Sequence, residues 1–194
     1  SSANTNDAID KLEGEYSPKF AAHFDSVYLN AKLFERIKTL HKNRETLGLD
    51  AQGVRLIERY YTDFMRSGAN LTDAQKTRVK AINSELATLS TQFSQNVLAE
   101  VNDSAIIVSD RAELAGLSDE QIAGFAESAK EKNMPGKYRI ALVNTTIQPI
   151  LPQLDNRALR ERIHKASVAR GARGNEWDNR AIVSKVTKLR AERA

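Results

Sequence analysis

Three histidines, the residues that most often bind metal ions, occur in the sequence at His23, His41 and His164. No two of them are three to five residues apart, and none lies in an H-E-x-x-H motif, so helical spacing creates no zinc site. His23 falls between apolar helix positions, while His41 and His164 lie in basic stretches. We therefore expect ordinary structural or surface histidines. The alternative is a site that folding assembles from all three.

Nucleophilic chemistry has few candidates. The chain contains no cysteine, which excludes disulfides and cysteine-based zinc sites. It also lacks a G-x-S-x-G motif, and Ser90 and Ser94 lie in a helical register without a neighbouring histidine. We interpret both serines as helix-surface or helix-contact residues, and the sequence predicts no catalytic, cofactor-binding or metal-binding residue.

Anion binding and acid–base chemistry have one weak candidate each. The loop 171–174 contains two glycines and Arg173, but no strand precedes it and no Gly-Lys-Ser/Thr follows, so a phosphate loop is not expected. Glu13 and Glu15 flank Gly14 in the segment that we expect to be mobile, where no apolar environment is expected to raise a carboxyl pKa. Acid–base catalysis by this pair is therefore not expected.

Positive charge is concentrated at the end of the chain. The net charge is +4 overall, and residues 151–194 contain 11 basic and 5 acidic side chains. Glu161 lies four residues from both Arg157 and Lys165, which partly compensates the charge along a helix, and Trp177 is the only aromatic residue in this quarter. We expect a solvated helix face and no nucleic-acid partner. The dense cations are Arg157, Arg160, Arg162, Lys165, Arg170 and Arg173.

Composition and apolar spacing indicate a mainly α fold. Nine glycines and four prolines are few for 194 residues, since the two together average about 12% of residues. The longest apolar runs are only a few residues long, so no membrane partner is expected. The repeated steps of three and four residues between apolar positions predict an antiparallel bundle of long helices.

Local signals place the first helices. We predict a mobile segment over residues 1–16 and a helical portion over 17–194, beginning with Ser17 as the cap and Pro18 at the first helical position. One continuous stripe from Phe20 to Leu40 predicts a single helix that ends at Gly48. Asp50 is the expected cap of the next helix, which Gly68 ends.

The third stripe is the most regular. Thr72 and Gln75 form a capping box at its start, and five of its six apolar positions fit a heptad seam. These positions are Val79, Ile82, Leu86, Leu89, Phe93 and Val97. Such a seam is also the basis of one alternative function, a helical adapter that binds partner helices.

The second half contains two short strands. β-branched and alternating residues predict a small two-stranded element around residues 105–109 and 138–143, on either side of a helix that begins at Ser118. The sequence leaves open whether the two strands pair and in which direction. Asp155 is the expected cap of a further helix, and a final stripe over Ile182, Val186 and Leu189 reaches Ala194 without a stop signal. That ending predicts a chain truncated at its C-terminal end.

Three stretches together resemble one protein family. The second is the most specific, because its Leu-Ser-x-x-Phe-x-x-Asn-Val order is more than a generic amphipathic pattern. The stretches are LNAKLFERIK (29–38), INSELATLSTQFSQNVL (82–98), and a third that comprises NTTIQP (144–149), DNRALRE (155–161), DNR (178–180) and LRAERA (189–194). They resemble the thimet-oligopeptidase family of zinc metallopeptidases, and the Asn-Thr-Thr-x-Gln-Pro variant is most similar to its bacterial peptidyl-dipeptidase (dipeptidyl carboxypeptidase) branch.

The resemblance covers residues 17–194 and implies a mostly helical portion from the N-terminal half of a longer enzyme. Members of the family bind one zinc through H-E-x-x-H and a downstream glutamate, and the motif glutamate activates the zinc-bound water. None of these residues maps onto this sequence, so the resemblance implies a non-catalytic portion that holds no zinc itself.

The resemblance also implies partners and a location. The partners would be the remaining C-terminal catalytic half of the same chain and short peptides, from which the complete enzyme releases C-terminal dipeptides. This portion would help to wall the substrate channel. The bacterial branch implies a cytoplasmic location, with the periplasm as the alternative. Besides the adapter, a nucleic-acid binder that uses residues 157–190 is the remaining alternative.

Overall fold

The computed structural model describes residues 5–194, apart from the side chain of Asn102. The fold is 71% helical, with a single small sheet among the described residues, which confirms the mainly α prediction. The helices are α1 Asp7–Tyr28, α2 Ala31–Asn43, α3 Ala51–Ser67, α4 Asp73–Asp103, α5 Asp119–Glu131, α6 Asn144–Ile150, α7 Arg157–Val168 and α8 Arg180–Arg193. The strands are β1 Ile106–Val108 and β2 Tyr138–Ile140. In this described part, no helix combines the length and the apolar character that crossing a membrane requires.

The chain divides into two compact units. The first unit comprises residues 5–92 together with Ile182–Ala194, and the second comprises Phe93–Ala181. Helix α4 therefore contributes its first 20 residues to the first unit and its last turns to the second.

The predicted start of the first helix is wrong. Helix α1 begins at Asp7, where the side chain of Asn6 accepts a hydrogen bond from the backbone N–H of Ile9 at 3.0 Å. Ser17 is not a cap, because its hydroxyl donates back to the carbonyl of Glu13 at 2.7 Å, and Pro18 lies inside the helix. Residues 7–16 of the segment predicted to be mobile are thus helical, and residues 1–4 lie outside the described residues.

The predicted single helix through Leu40 is also wrong. Helix α1 ends at Tyr28, and α2 begins at Ala31. Asn30 causes the break, because its side chain accepts a hydrogen bond from the N–H of Leu33 at 3.0 Å and so caps α2. The apolar spacing continues across this break, which is why periodicity alone missed it.

The predicted capping box of α4 is present, the predicted start of α5 is confirmed, and one predicted cap is shifted. Thr72 and Gln75 bond reciprocally at the start of α4, and Ser118 and Gln121 do so at the start of α5. The cap of α7 is Asn156 and not Asp155, since Asn156 accepts from the N–H of Leu159 at 3.1 Å.

Strands β1 and β2 pair antiparallel, which settles the direction that the sequence left open. Ile106 lies opposite Ile140, and Val108 lies opposite Tyr138. The sheet packs with α5, α6 and α7 around the core of the second unit. That core consists of Val108, Leu114, Ile122, Ile140, Leu142, Ile147, Ile150, Leu154, Leu159 and Ile163.

The described residues of the first unit form two smaller cores. One lies between α2 and α3, where Phe34 stacks on Phe64 with ring centroids 6.2 Å apart. The other joins Ile82 and Leu86 of α4 to Leu189 of α8. The first part of the heptad-like stripe is thus used inside the chain, which removes much of the basis for the adapter hypothesis.

Candidate functional site

The histidines lie in different surroundings. His23 is exposed on α1, with its ring edge-on to Phe24, and His41 stacks on Tyr61 with ring centroids 4.0 Å apart. His164 is exposed on α7 in the second unit. Within the part of the chain that the structure describes, no group of three or more His, Cys, Asp or Glu side chains is placed to hold a metal ion.

The other candidates from the sequence lie at helix surfaces. Ser90 and Ser94 are exposed positions of α4. Glu15 pairs with Lys19 at 2.6 Å, while Glu13 is half-buried and accepts the Ser17 hydroxyl through its carbonyl.

A polar centre links three helices in the first unit. Asp25 of α1 is only 8% exposed, and its carboxylate accepts a hydrogen bond from the amide of Asn83 at 2.7 Å. The other end of that amide accepts from the guanidinium of Arg193 at 3.0 Å. Because Asn83 belongs to α4 and Arg193 to α8, this chain of bonds fixes three helices relative to one another.

Two cavities of the first unit adjoin this centre. One has a volume of about 400 Å³, and the other about 340 Å³. Both are lined by Phe24, Asp25, Asn83 and Arg193. Burial raises the pKa of Asp25, and this effect is opposed by the hydrogen bond from Asn83 and by the positive charges of Lys80 and Arg193.

A second polar centre lies in the other unit, at the loop that was considered for anion binding. The backbone N–H of Gly171 donates to the carboxylate of Glu100 at 2.5 Å, and Glu100 is only 1% exposed. Gly171 takes a φ of 70°, in the left-handed region that favours glycine. The loop does bind a carboxylate, but that carboxylate belongs to the protein itself.

Arg173 completes this second centre. Its Nε lies 2.9 Å from the other Glu100 oxygen, and the two atoms form an ion pair. Neither atom has a hydrogen-bond partner with suitable geometry among the described residues. The Arg173 guanidinium also donates to the carbonyl of Ala166 at 2.6 Å. Asn179 is buried nearby and bonds to the side chain of Asn96 and to the carbonyl of Phe93.

The C-terminal side of this loop carries an exposed charge cluster. The guanidinium of Arg180 and the backbone N–H groups of Arg180 and Gly174 hold the pKa of Asp178 well below its usual range. Gly174 donates to Asp178 at 2.7 Å. Both sides of the loop are therefore anchored by carboxylates of the same chain.

The dense basic residues of the last quarter bond within the second unit. Arg162 donates to the carbonyl of Ile107 at 2.8 Å, and Arg170 donates to the carbonyl of Leu142 at 2.9 Å. Arg160 donates to the carbonyls of Leu154 and Asp155, and Lys165 pairs with Glu161. Arg160, Arg162 and Arg170 thus hold backbone carbonyls of the second unit in place, which is a structural use of these cations.

A cleft of about 360 Å³ in the second unit includes part of the Asn-Thr-Thr-x-Gln-Pro motif. Thr145, Thr146 and Pro149 line it, together with the buried Arg139, whose guanidinium bonds to Ser128 at 3.2 Å.

Sequence reasoning missed Asp25, Asn83 and Glu100. The available signal was a polar residue at a core-facing position of a helix.

Comparison with known proteins finds related peptidases, although no protein-family model matches the chain. The chain is 39% identical over 192 residues to dipeptidyl carboxypeptidase of Escherichia coli, an alignment that covers 99% of this chain and 28% of the relative. It is 39% identical over 188 residues to dipeptidyl carboxypeptidase of Salmonella typhimurium, covering 97% of this chain and 28% of that protein. It is 33% identical over 142 residues to oligopeptidase A of Haemophilus influenzae, which covers 71% of this chain and 21% of the relative.

The fold and these alignments define a helical chain related to peptidases, in which the described residues show no assembled metal site. The chain belongs to the thimet-oligopeptidase family, on the side of the dipeptidyl carboxypeptidases, as its sequence motifs predicted. It spans about 28% of the length of these two relatives.

Proposed function

We propose that this chain is a non-catalytic helical portion of a metallopeptidase that hydrolyses short peptides and releases C-terminal dipeptides. The observation that supports this most is the 39% identity over 99% of the chain to a dipeptidyl carboxypeptidase of which the chain spans only 28%. Sequence identity that extends over nearly every helix and strand favours the same function for the whole protein as for this relative. Because the relative is much longer, its reaction centre can lie outside the aligned part.

The metal of the whole protein, for which we propose zinc, would be held outside these 194 residues. The histidines do not fit a zinc site, because among the described residues no three His, Cys, Asp or Glu side chains converge on one point. A zinc ion needs three or four converging nitrogen, oxygen or sulfur ligands. No step of the reaction is therefore assigned to a residue of this chain.

The proposed role of this portion is to form part of the wall of a channel that admits short peptides. Packed helices with buried polar links, such as the bonds from Asp25 to Asn83 and from Glu100 to Gly171, suit a rigid wall. A rigid, narrow entrance selects substrates by excluding folded chains. We place the whole protein in the cytoplasm, with the periplasm as the alternative.

A peptide-hydrolysis assay tests this proposal. The 194-residue chain and the longer polypeptide that contains it are each incubated with a short peptide, and products are identified by mass spectrometry. We expect C-terminal dipeptides from the longer polypeptide, loss of this activity with a chelator and recovery with zinc. The 194-residue chain serves as the control and is expected to release nothing. Chelator-sensitive hydrolysis by the 194 residues alone would contradict the proposal.

A helical protein-interaction module without enzymatic activity is the second candidate. The exposed apolar side chains of the first unit favour it, among them Leu40, Leu56 and Tyr60. The same assay separates the two candidates, because an interaction module leaves the peptide intact in the longer polypeptide as well.

A further inference from the structure

Helix α1 presents its apolar side to solvent and its polar side to the rest of the first unit. On the inner side, Ser17 accepts a hydrogen bond from Thr91 at 2.8 Å, and Asp25 accepts one from Asn83 at 2.7 Å. On the outer side, six large apolar residues are each at least 36% exposed. They are Ile9, Leu12, Tyr16, Phe20, Phe24 and Val27, and we call them the outer face of α1.

The outer face is one continuous stripe. Its members follow each other at steps of three or four residues, which places them within about 120° of one another around the helix axis and along roughly 27 Å of its length. Phe20 is 60% exposed and Phe24 is 57% exposed. Glu13 and His23 lie on the same side. This is the reverse of an ordinary surface helix, in which the apolar side faces the core.

An exposed stripe of this kind marks an interaction surface. Six side chains that each expose about half of a surface of order 150–200 Å² offer on the order of 500 Å². A standard interface between separate proteins buries about 800 Å² on each partner, so the face is small for a stable dimer of this chain. Interfaces between parts of one polypeptide bury about 600–1,500 Å² in total, a range that this face can satisfy.

We propose that the outer face of α1 is covered by polypeptide of the same, longer protein that lies outside these 194 residues. This inference rests on the proposed function, and the lengths of the relatives support it: alignments that cover 97–99% of this chain cover only 28% of each dipeptidyl carboxypeptidase. A covalently linked partner needs little interface area, because the linkage raises its effective concentration. The covering segment is itself apolar, since the face offers few hydrogen-bonding groups.

Thiol labelling tests this inference, because the chain has no cysteine of its own. The Phe20→Cys variant is prepared in the 194-residue chain and in the longer polypeptide, and the rate of maleimide modification at position 20 is followed by peptide mass spectrometry. Ala22→Cys is the matched control, since Ala22 is an exposed residue of α1 on the side away from Phe20.

We expect the labelling rate of Phe20→Cys to fall at least tenfold in the longer polypeptide, while that of Ala22→Cys stays within about twofold. Phe24→Cys repeats the measurement if circular dichroism shows that the first variant does not fold. Equal labelling of position 20 in both polypeptides overturns the inference. The inference is also overturned if the 194-residue chain alone shows protection that increases with protein concentration and if sedimentation detects a dimer. The outer face is then covered by a second copy of this chain.

The inference and the proposed function fail separately. Protection at position 20 in a longer polypeptide that releases no dipeptides upholds the covered face and refutes the peptidase. Dipeptide release without protection upholds the peptidase and refutes the covered face.

Discussion

The carboxylate of Glu100 accepts a hydrogen bond from the backbone N–H of Gly171 at 2.5 Å, although the two residues are 71 positions apart in the sequence. The second oxygen of the same carboxylate lies 2.9 Å from Nε of Arg173. A helix and a distant loop are thereby joined through one buried acid. Removing either partner of such a pair leaves a buried charge without a counter-charge. The free-energy cost of that lone charge exceeds the net stabilisation that the intact pair provides.

We expect Glu100→Ala to destabilise the second unit by about 3 kcal/mol. This is near the lower end of the cost of breaking a buried ion pair, because the Arg173 side chain keeps some contact with water. Urea unfolding measures the change, and hydrogen exchange of the amides in residues 171–179 locates it. Lys185→Ala, which removes an exposed ion pair to Glu85, is the control and is expected to cost less than about 1 kcal/mol. Equal effects of the two variants would contradict the assigned role of Glu100.

The Asp25→Asn variant is expected to change how stability depends on pH. Burial raises the pKa of Asp25 above its ordinary value of 3.8, so folding favours the protonated form. Its contribution to stability is complete below that value and is lost as pH rises through the raised pKa of the folded state. The free energy of unfolding of Asp25→Asn relative to wild type should therefore increase from pH 3 to pH 7. A difference independent of pH, measured by urea unfolding, would refute this.

Asn83→Ala is expected to cost about 1–3 kcal/mol of stability, because it leaves the buried carboxylate of Asp25 without its amide donor. It also removes the acceptor of Arg193. Ser84→Ala, at the next position of α4, is the control. Chemical denaturation followed by circular dichroism gives both values, and an Asn83→Ala variant as stable as Ser84→Ala would show that the polar centre does not hold α1 and α8 in place.

Local chemistry explains most of what the sequence predicted correctly. A capping box joins residues three positions apart, so the pair Thr72 and Gln75 was recognisable without a structure, and Ser118 was recognisable as the start of a helix. The two strands were recognisable from their β-branched residues. Whether they pair parallel or antiparallel depends on the path of the chain between them, which the residues of short strands do not determine. The β1–β2 pairing places Ile106 opposite Ile140.

Distant partners explain most of what the sequence missed. Asp25 bonds to a residue 58 positions away, and Ser17 bonds to one 74 positions away. These contacts turn the polar side of α1 inward, which reverses the orientation that its apolar stripe suggests. Residues 171–174 were rejected as a phosphate loop, and their internal ligand, Glu100, lies too far away in the sequence to be paired with them.

Asn30→Ala is expected to destabilise the first unit by about 1 kcal/mol through loss of the α2 cap. The matched control is Asn43→Ala, because Asn43 precedes the short 3₁₀ turn Arg44–Thr46 without a capping side-chain bond. Thermal unfolding compares the two variants. Equal melting temperatures would mean that the bond to Leu33 does not stabilise the break between α1 and α2.

Ile163→Ala tests whether the core of the second unit supports the α7 helix. Ile163 is fully buried among residues of the sheet, α5 and α6, so truncation removes apolar contacts and leaves a cavity, at a cost of about 2–5 kcal/mol. Val168→Ala on the same helix is the control, since Val168 is 68% exposed and its truncation should change stability by less than about 0.5 kcal/mol. Urea unfolding that gives similar midpoints for both variants would place α7 outside the core, contrary to the packing of Leu159 and Ile163.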